Sequence, residues 1–250
     1  TKMYGDLEQV TIGSAPFKAT VNAMLGERYG QIRGTDFIYD SEGNKVVGAS
    51  GLYLSSGVKN LGSILPDWNM GIRNNFSYKN LSVSALLDIQ QGGKYFSVTN
   101  MFGMYSGMLE ETAANNVRET GTISQGVTGT VTSNGDGTYT VTNTAQNTKN
   151  VSAASYYGQY YSGPTAQNVF DADYVKLREV TVSYTFPKKW SGPFSNVVVS
   201  AFGRNLGTWG LDKKHIDPEQ ASGGSGNIQG LEGGSLPSTR TYGMNLKLQF

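Results

Sequence analysis

The residue types that carry bond chemistry are scarce in this sequence. His215, in "LDKKHIDPE", is the single histidine, and cysteine is absent. Thiol catalysis, disulfide frameworks and Cys-zinc centres are therefore excluded, and a lone loop histidine has no partner with which to build a metal site. Glycoside hydrolysis requires two carboxyl groups about 5–9.5 Å apart. The nearest approaches are Asp171 with Asp173 and Glu110 with Glu111, and both read as adjacent surface acids. "NGDGT" resembles part of a calcium loop but lacks the downstream bidentate acid, and a hairpin turn accounts for it. The reading is of no catalytic residue, no metal ligand and no cofactor, which leaves binding.

Binding chemistry is better supplied, with 15 Tyr and 3 Trp in the chain. The Tyr-rich "SYYGQYY" carries Tyr156, Tyr157, Tyr160 and Tyr161, and Tyr95, Tyr105 and Trp209 stand elsewhere in connecting segments. Flat aromatic faces suit the C–H-rich faces of sugars and also peptide backbones. The competing reading of the same residues is an aromatic girdle or loop packing. In "KLRE", Lys176, Arg178 and Glu179 either meet phosphates or ligand at a rim or pair with neighbouring strands and set register; the second is the expectation.

The elements that position these residues are strands. Hydrophobic residues make up 38% of the 250, Gly contributes 33, and mean hydropathy is −0.35, while Thr, Ser, Val and Tyr dominate the patterned stretches. That composition favours an all-β chain. A net charge of +1 gives no bulk electrostatic pull on nucleic acid. No run approaches the roughly 18 apolar residues of a spanning helix, but a spanning strand needs only alternation. The opening "TKMYGDLEQV" has no apolar signal-peptide core, and the expectation is a processed chain or a piece of a longer one.

Five segments alternate with period two, at about 68–78, 81–91, 174–186, 197–206 and 241–250. Leu81, Val83, Leu87 and Ile89 fall on one face of the second, and Val180, Val182, Tyr184 and Phe186 on one face of the third. Near its start the third breaks phase, because Lys176 and Arg178 share parity with the apolar set while Val175 and Leu177 do not. A bulge or an exit from the apolar layer would explain the break. The facing of the fourth segment, "VVVSAFGRNL", is not assignable from its pattern. In the last, Tyr242, Met244, Leu246, Leu248 and Phe250 alternate with small or polar residues.

Connection lengths alternate as well: short between the first and second and the third and fourth segments, but long at 92–173 and 207–240. Short turns at one rim and long loops at the other is the asymmetry of an outer-membrane barrel. Five strands cannot close a barrel, whose small forms have about eight, and an open edge in lipid costs several kcal/mol per unpaired backbone group. The expected organisation is residues 1–67 as an extracellular loop region with a small hairpin and a preceding barrel segment, then 68–250 as barrel strands with long loops. A second hairpin around 134–137, with Thr on both faces, is expected to stand in water.

"YVKLREVTVSYTFP", "GRNLGTW", "DPE", "LPSTRTYGMNLKLQF" and "LPDWNMGIRNNFSYKNLSVSALLDIQQGGKYFSVTN" resemble, in order, the C-terminal blocks of SusC-like (SusC/RagA) TonB-dependent outer-membrane transporters. The resemblance runs from about Gly26 to Phe250. It implies the last strands of a plugged barrel of about 22 strands in the outer membrane of a Gram-negative bacterium, with the C terminus at the periplasmic rim. It further implies a SusD-like lipoprotein lid, energy from a TonB complex reached through an N-terminal plug outside these residues, and import of oligosaccharides or oligopeptides. The alternating terminal residues Tyr242 to Phe250 resemble the signal read by the barrel-assembly machinery. The rival reading is a soluble all-β carbohydrate-binding or adhesion module.

Overall fold

A computed structural model of the chain describes residues 9–14, 18–220, 229–236 and 238–250. Most of the opening stretch considered for a signal peptide lies outside them. In chain order the first strands are β1 (Gln9–Ser14), β2 (Thr20–Met24), β3 (Gln31–Phe37), β4 (Ser55–Ser63), β5 (Trp68–Tyr78), β6 (Leu81–Gln91) and β7 (Lys94–Ser97). Helices α1 (Val98–Tyr105) and α2 (Val117–Thr120) precede β8 (Thr122–Ile123), β9 (Val127–Ser133), β10 (Tyr139–Gln146) and β11 (Asn150–Val151). Helix α3 (Ala153–Ser162) leads to β12 (Val169–Asp171), β13 (Tyr174–Thr185), β14 (Asn196–Trp209), β15 (Leu231–Glu232) and β16 (Thr241–Gln249).

Two compact units share this chain without following its order. One gathers residues 1–65, 94–170 and 221–235, and the other 66–93, 171–220 and 236–250. Compactness thus divides the chain differently from a linear split between 67 and 68. The segments between the long strands supply most of the first unit, because they carry their own apolar residues and bury them together.

The second unit is one five-stranded antiparallel sheet in the order β16-β14-β13-β6-β5. β5 and β6 are joined through Lys79 and Asn80, and Lys79 takes a φ of 52° in that tight turn. Asn80 then ties the neighbouring strand end, donating from Nδ2 to the Thr185 carbonyl at 2.6 Å. Register places Phe76, Val83, Val182, Ala201 and Met244 in one row, and Tyr78, Leu81, Tyr184, Val199 and Leu246 in another. Leu87 and Ile89 face the same way, opposite Ile72 and Met70. This apolar face is uncovered, with Val182 41%, Phe76 65% and Met244 78% exposed.

The other face is polar. Ser77, Ser82, Ser183, Ser200 and Asn245 form a row across all five strands, with hydroxyl pairs at 3.0 Å between Ser77 and Ser82 and 2.9 Å between Ser183 and Ser200. One row along, Phe202 lies over Gly243, where a Cβ would come within 2.4 Å of the ring. A larger residue would have to displace that ring, which accounts for the glycine inside the terminal alternation.

The phase break in β13 is a bulge. Leu177 pairs with Leu87 and Glu179 with Leu86, so Arg178 is the extra residue. Val175 and Leu177 thereby join Val180, Val182 and Tyr184 on the apolar face, and Lys176 turns to the polar one opposite Asp88. β14 answers with its own irregularity between Arg204 and Gly207, where Asn205 has a φ of 52°. Register also gives β14 the facing its pattern withheld: Val197, Val199 and Ala201 align with Leu248, Leu246 and Met244. Phe186 follows the end of β13 and packs its ring edge-on against Tyr184 at 5.2 Å.

The first unit contains the sheet β1-β2-β3-β4 and several small sheets. Its main core joins Ala19, Val21, Ile32, Phe96, Met101 and Leu231. Ser97 caps α1 by accepting from the Asn100 N–H at 2.9 Å, and Ser152 caps α3 by accepting from the Ser155 N–H at 3.2 Å. The β9–β10 hairpin is exposed over most of its length, but one side of it is anchored. Its Val131, Tyr139 and Val141 pack on a second cluster of Ile38, Val46 and Val127, because these three share a side that the threonines flanking them do not define.

Candidate functional site

The charged residues of β13 are fully engaged. Lys176, 3% exposed, pairs with Asp217 at 2.6 Å and with Glu219. Arg178 donates to Asp88 from Nε at 2.9 Å and Nη2 at 2.5 Å, and also pairs with Glu219. The Tyr174 hydroxyl donates to Glu219 at 3.0 Å, and Arg204 reaches Glu179 at 2.8 Å. Burial works against the Glu219 charge, but the hydrogen bonds from Arg178 and Lys176 outweigh it and hold the carboxyl at about 2. The 217–219 turn is thereby pinned to β13, with Pro218 buried beneath it. These side chains fasten a loop and set register, which leaves no donor set open for a ligand phosphate on Lys176.

The aromatic candidates separate into distinct environments. Tyr95 is 2% exposed and packs against Phe170 at 5.8 Å, so it is a core residue and not a contact surface. Trp209 is the last residue of β14, aligned with Val175 on the apolar face of the sheet, and the loop begins after it. The Tyr-rich segment is helical, since α3 carries all four of its tyrosines. Tyr156 and Tyr160 turn inward toward Tyr53. Burial raises all three phenols, Tyr53 to about 12 with a further contribution from Tyr156. They remain neutral at physiological pH and act by packing and hydrogen bonding. Tyr161 stacks obliquely on Phe102 and on Tyr105, at 5.9 and 5.1 Å.

Tyr105 and Tyr157 meet at an opening. The end of α1, the turn after it, α2 and the start of α3 enclose a cleft of about 350 Å³, lined by these two tyrosines with Met104, Ser106, Gly107, Thr112, Arg118, Ala153 and Ala154. Tyr105 is 52% exposed and Met104 is buried. The Tyr157 hydroxyl donates to the Glu111 carbonyl at 2.6 Å, which holds its ring. Gly107 makes the turn at a φ of 74° and offers its carbonyl to Arg118 at 2.7 Å. Arg118 was not singled out from the sequence. It follows Tyr105 by thirteen positions, and nothing local marks it; only packing of α1, α2 and α3 brings it to the tyrosines. Among the described residues no group of His, Asp and Glu is arranged to hold a metal ion.

No family model matches the chain. It is 28% identical over 231 residues to TonB-dependent receptor P26 of Formosa agariphila, covering 90% of this chain and 20% of that protein. To TonB-dependent receptor P3 of the same organism it is 26% identical over 201 residues, or 77% of this chain and 17% of that protein. Solved structures of the RagAB peptide importer in its open-open state (TM-score 0.61, 14% identity) and of the RagAB peptide transporter (TM-score 0.61, 16% identity) each cover 100% of this chain, which spans 25% of theirs. The chain therefore spans about a fifth of the length of these curated relatives. The likeness bears out the all-β antiparallel reading, with the described sheet a part of a barrel and not a closed one.

Proposed function

Starting from a chain whose sequence and fold are those of a segment of a SusC-like TonB-dependent transporter, we propose that β5, β6, β13, β14 and β16 are adjacent membrane strands at the C-terminal end of its barrel. The observation that carries this reading is the two-faced sheet: an uncovered apolar face, a serine-lined polar face, and edge strands β5 and β16 each paired on one side only among the described residues. A strand of 11 residues such as β5 spans about 36 Å, or roughly 25 Å when tilted, which matches the apolar band of such barrels. Leu81, Val83, Leu87, Ile89, Val180, Val182, Tyr184 and Phe186 then face lipid. The hairpin turn at Lys79 and Asn80 and the terminal Phe250 lie at the periplasmic rim, and the long connections rise on the outside.

In the whole protein, the free edges of β5 and β16 pair with strands outside this segment, and the alternating Tyr242 to Phe250 address the chain to the barrel-assembly machinery. The function is import of a bulky nutrient, an oligosaccharide or oligopeptide, gated by a plug, energised through TonB and covered by a SusD-like lipoprotein. A soluble carbohydrate-binding or adhesion module is less well supported, because it would bury the apolar face that is uncovered here.

These 250 residues contain no cysteine, so single spin labels can be placed in them in the full transporter in liposomes once any cysteine outside this segment has been replaced by serine. Labels at positions 81, 83, 87 and 89 should be reached by oxygen, and labels at 82, 84 and 88 by a water-soluble nickel chelate. Equal access of the nickel chelate to both sets would overturn the membrane reading.

A further inference from the structure

The cleft beside Tyr105 is built around a cation that the fold immobilises without neutralising. A guanidinium has five N–H donors. In Arg118, Nε donates to the Thr112 carbonyl at 3.0 Å, and Nη2 to the Gly107 carbonyl at 2.7 Å and the Thr112 hydroxyl at 3.2 Å. Three donors are thus committed to the 107–112 turn, and the two on Nη1 have no partner among the described residues. No described carboxylate forms an ion pair with Arg118. Glu110, Glu111 and Glu119 lie in the same stretch of chain as this single cation, an excess of acidic residues that disfavours an anionic ligand.

The rest of the lining defines what those donors can meet. Tyr105 offers a ring that is half exposed, Tyr157 is anchored through its hydroxyl, and the buried Met104 adds apolar lining. Helices and a turn form the walls, so no strand edge is present for a peptide backbone to join by main-chain pairing. A volume of about 350 Å³ lies at the small end of ligand clefts and holds only part of a bulky nutrient.

We infer that this cleft is a saccharide-binding subsite, in which the C–H face of a neutral pyranose ring stacks on Tyr105 and its hydroxyls accept from Nη1 of Arg118. The inference rests on the import function proposed above and specifies which nutrient class this segment contacts. It assigns Tyr105 as the stacking platform and Arg118 as the hydrogen-bond donor, with Thr112 and Gly107 holding the guanidinium in place.

The test is calorimetric titration of the purified full-length transporter with glucose, xylose and mannose hexasaccharides, and with a mixed hexapeptide library. At least one hexasaccharide should bind. Tyr105→Ala and Arg118→Lys should each weaken that binding about tenfold or more, and Tyr105→Phe, which keeps the ring, should retain it. Tyr105 takes no part in bracing the 107–112 turn, so its variants remain informative if Arg118→Lys fails to fold. Undiminished binding in Tyr105→Ala overturns the subsite. Binding of peptides and of no hexasaccharide overturns the saccharide assignment, while TonB-dependent uptake of those peptides by cells would leave the import function standing.

Discussion

The two units of this chain treat apolar and charged side chains in opposite ways. In the unit built from the connecting segments, Val21, Ile32, Phe96 and Met101 have no exposed surface. In the five-stranded sheet the charged side chain of Lys176 is enclosed, at 3%, beside Tyr174 at 5%, while Tyr242, Met244 and Phe250 are 70%, 78% and 95% exposed. A water-soluble unit lowers its free energy by withdrawing apolar area, at roughly 25 cal/mol per Å². A sheet that leaves such area outside and spends its ion pairs on the other face has the distribution that the membrane reading proposed above requires. The difference teaches that the same alternating Val, Tyr and Thr vocabulary is used in two opposite ways, and that facing, not composition, separates them.

The comparison is tested most severely at its two buried extremes. Lys176→Ala leaves Asp217 and Glu219 without their shared cation and should cost about 3–5 kcal/mol, measured by denaturation of the full transporter in detergent. Phe96→Ala opens a cavity in the other unit and should cost a similar amount, about 3–5 kcal/mol. A loss below about 1 kcal/mol for Lys176→Ala would mean that the pinned loop contributes little to the sheet.

Leu87→Arg comes next, with an expected cost of roughly 2–4 kcal/mol in a bilayer if the residue lies near the midplane. A nearly neutral result in a detergent-free soluble fragment would instead favour the carbohydrate-binding or adhesion module. The acid limit of the pinned loop follows from Glu219, whose carboxyl is held at about 2, below the usual 4.5. Its contribution is fully present above about pH 4.5 and is lost as pH falls toward 2, so thermal stability should decline across that window by the equivalent of about 2 kcal/mol. Glu219→Gln should flatten the decline. The smallest effect is expected from Ser183→Ala, which removes one hydroxyl pair with Ser200 and should cost about 0.5–1 kcal/mol.

Much of the sheet is legible in the sequence. Period-two alternation is a local property, and it put Leu81, Val83, Leu87 and Ile89 on one face because successive side chains on a strand must point oppositely. The phase break around Lys176 and Arg178 was visible as a break, but its cause was not. A bulge and an exit from the apolar layer give the same string, and only pairing with β6 and β14 distinguishes them. Short helices were missed for a related reason. α1 has eight residues and α3 ten, too short for a persistent 3.6-residue pattern, although Ser97 and Ser152 mark their starts. The tyrosines were all visible as candidates, yet residue type carries no information on burial, so Tyr95 and Tyr105 looked equivalent. One is in the core and the other is at the mouth of a cleft.

By itself, the sequence determined the β character, the faces of four of the five long strands and the likeness to a transporter barrel, since these depend on spacing within short stretches. Tertiary structure alone decided the facing of β14, the bulge that carries Lys176 to the polar side, and the meeting of Arg118 with Tyr105 and Tyr157. Each of those depends on register or packing between segments distant along the chain, where the free energy of pairing and burial selects one arrangement among several that the local pattern allows.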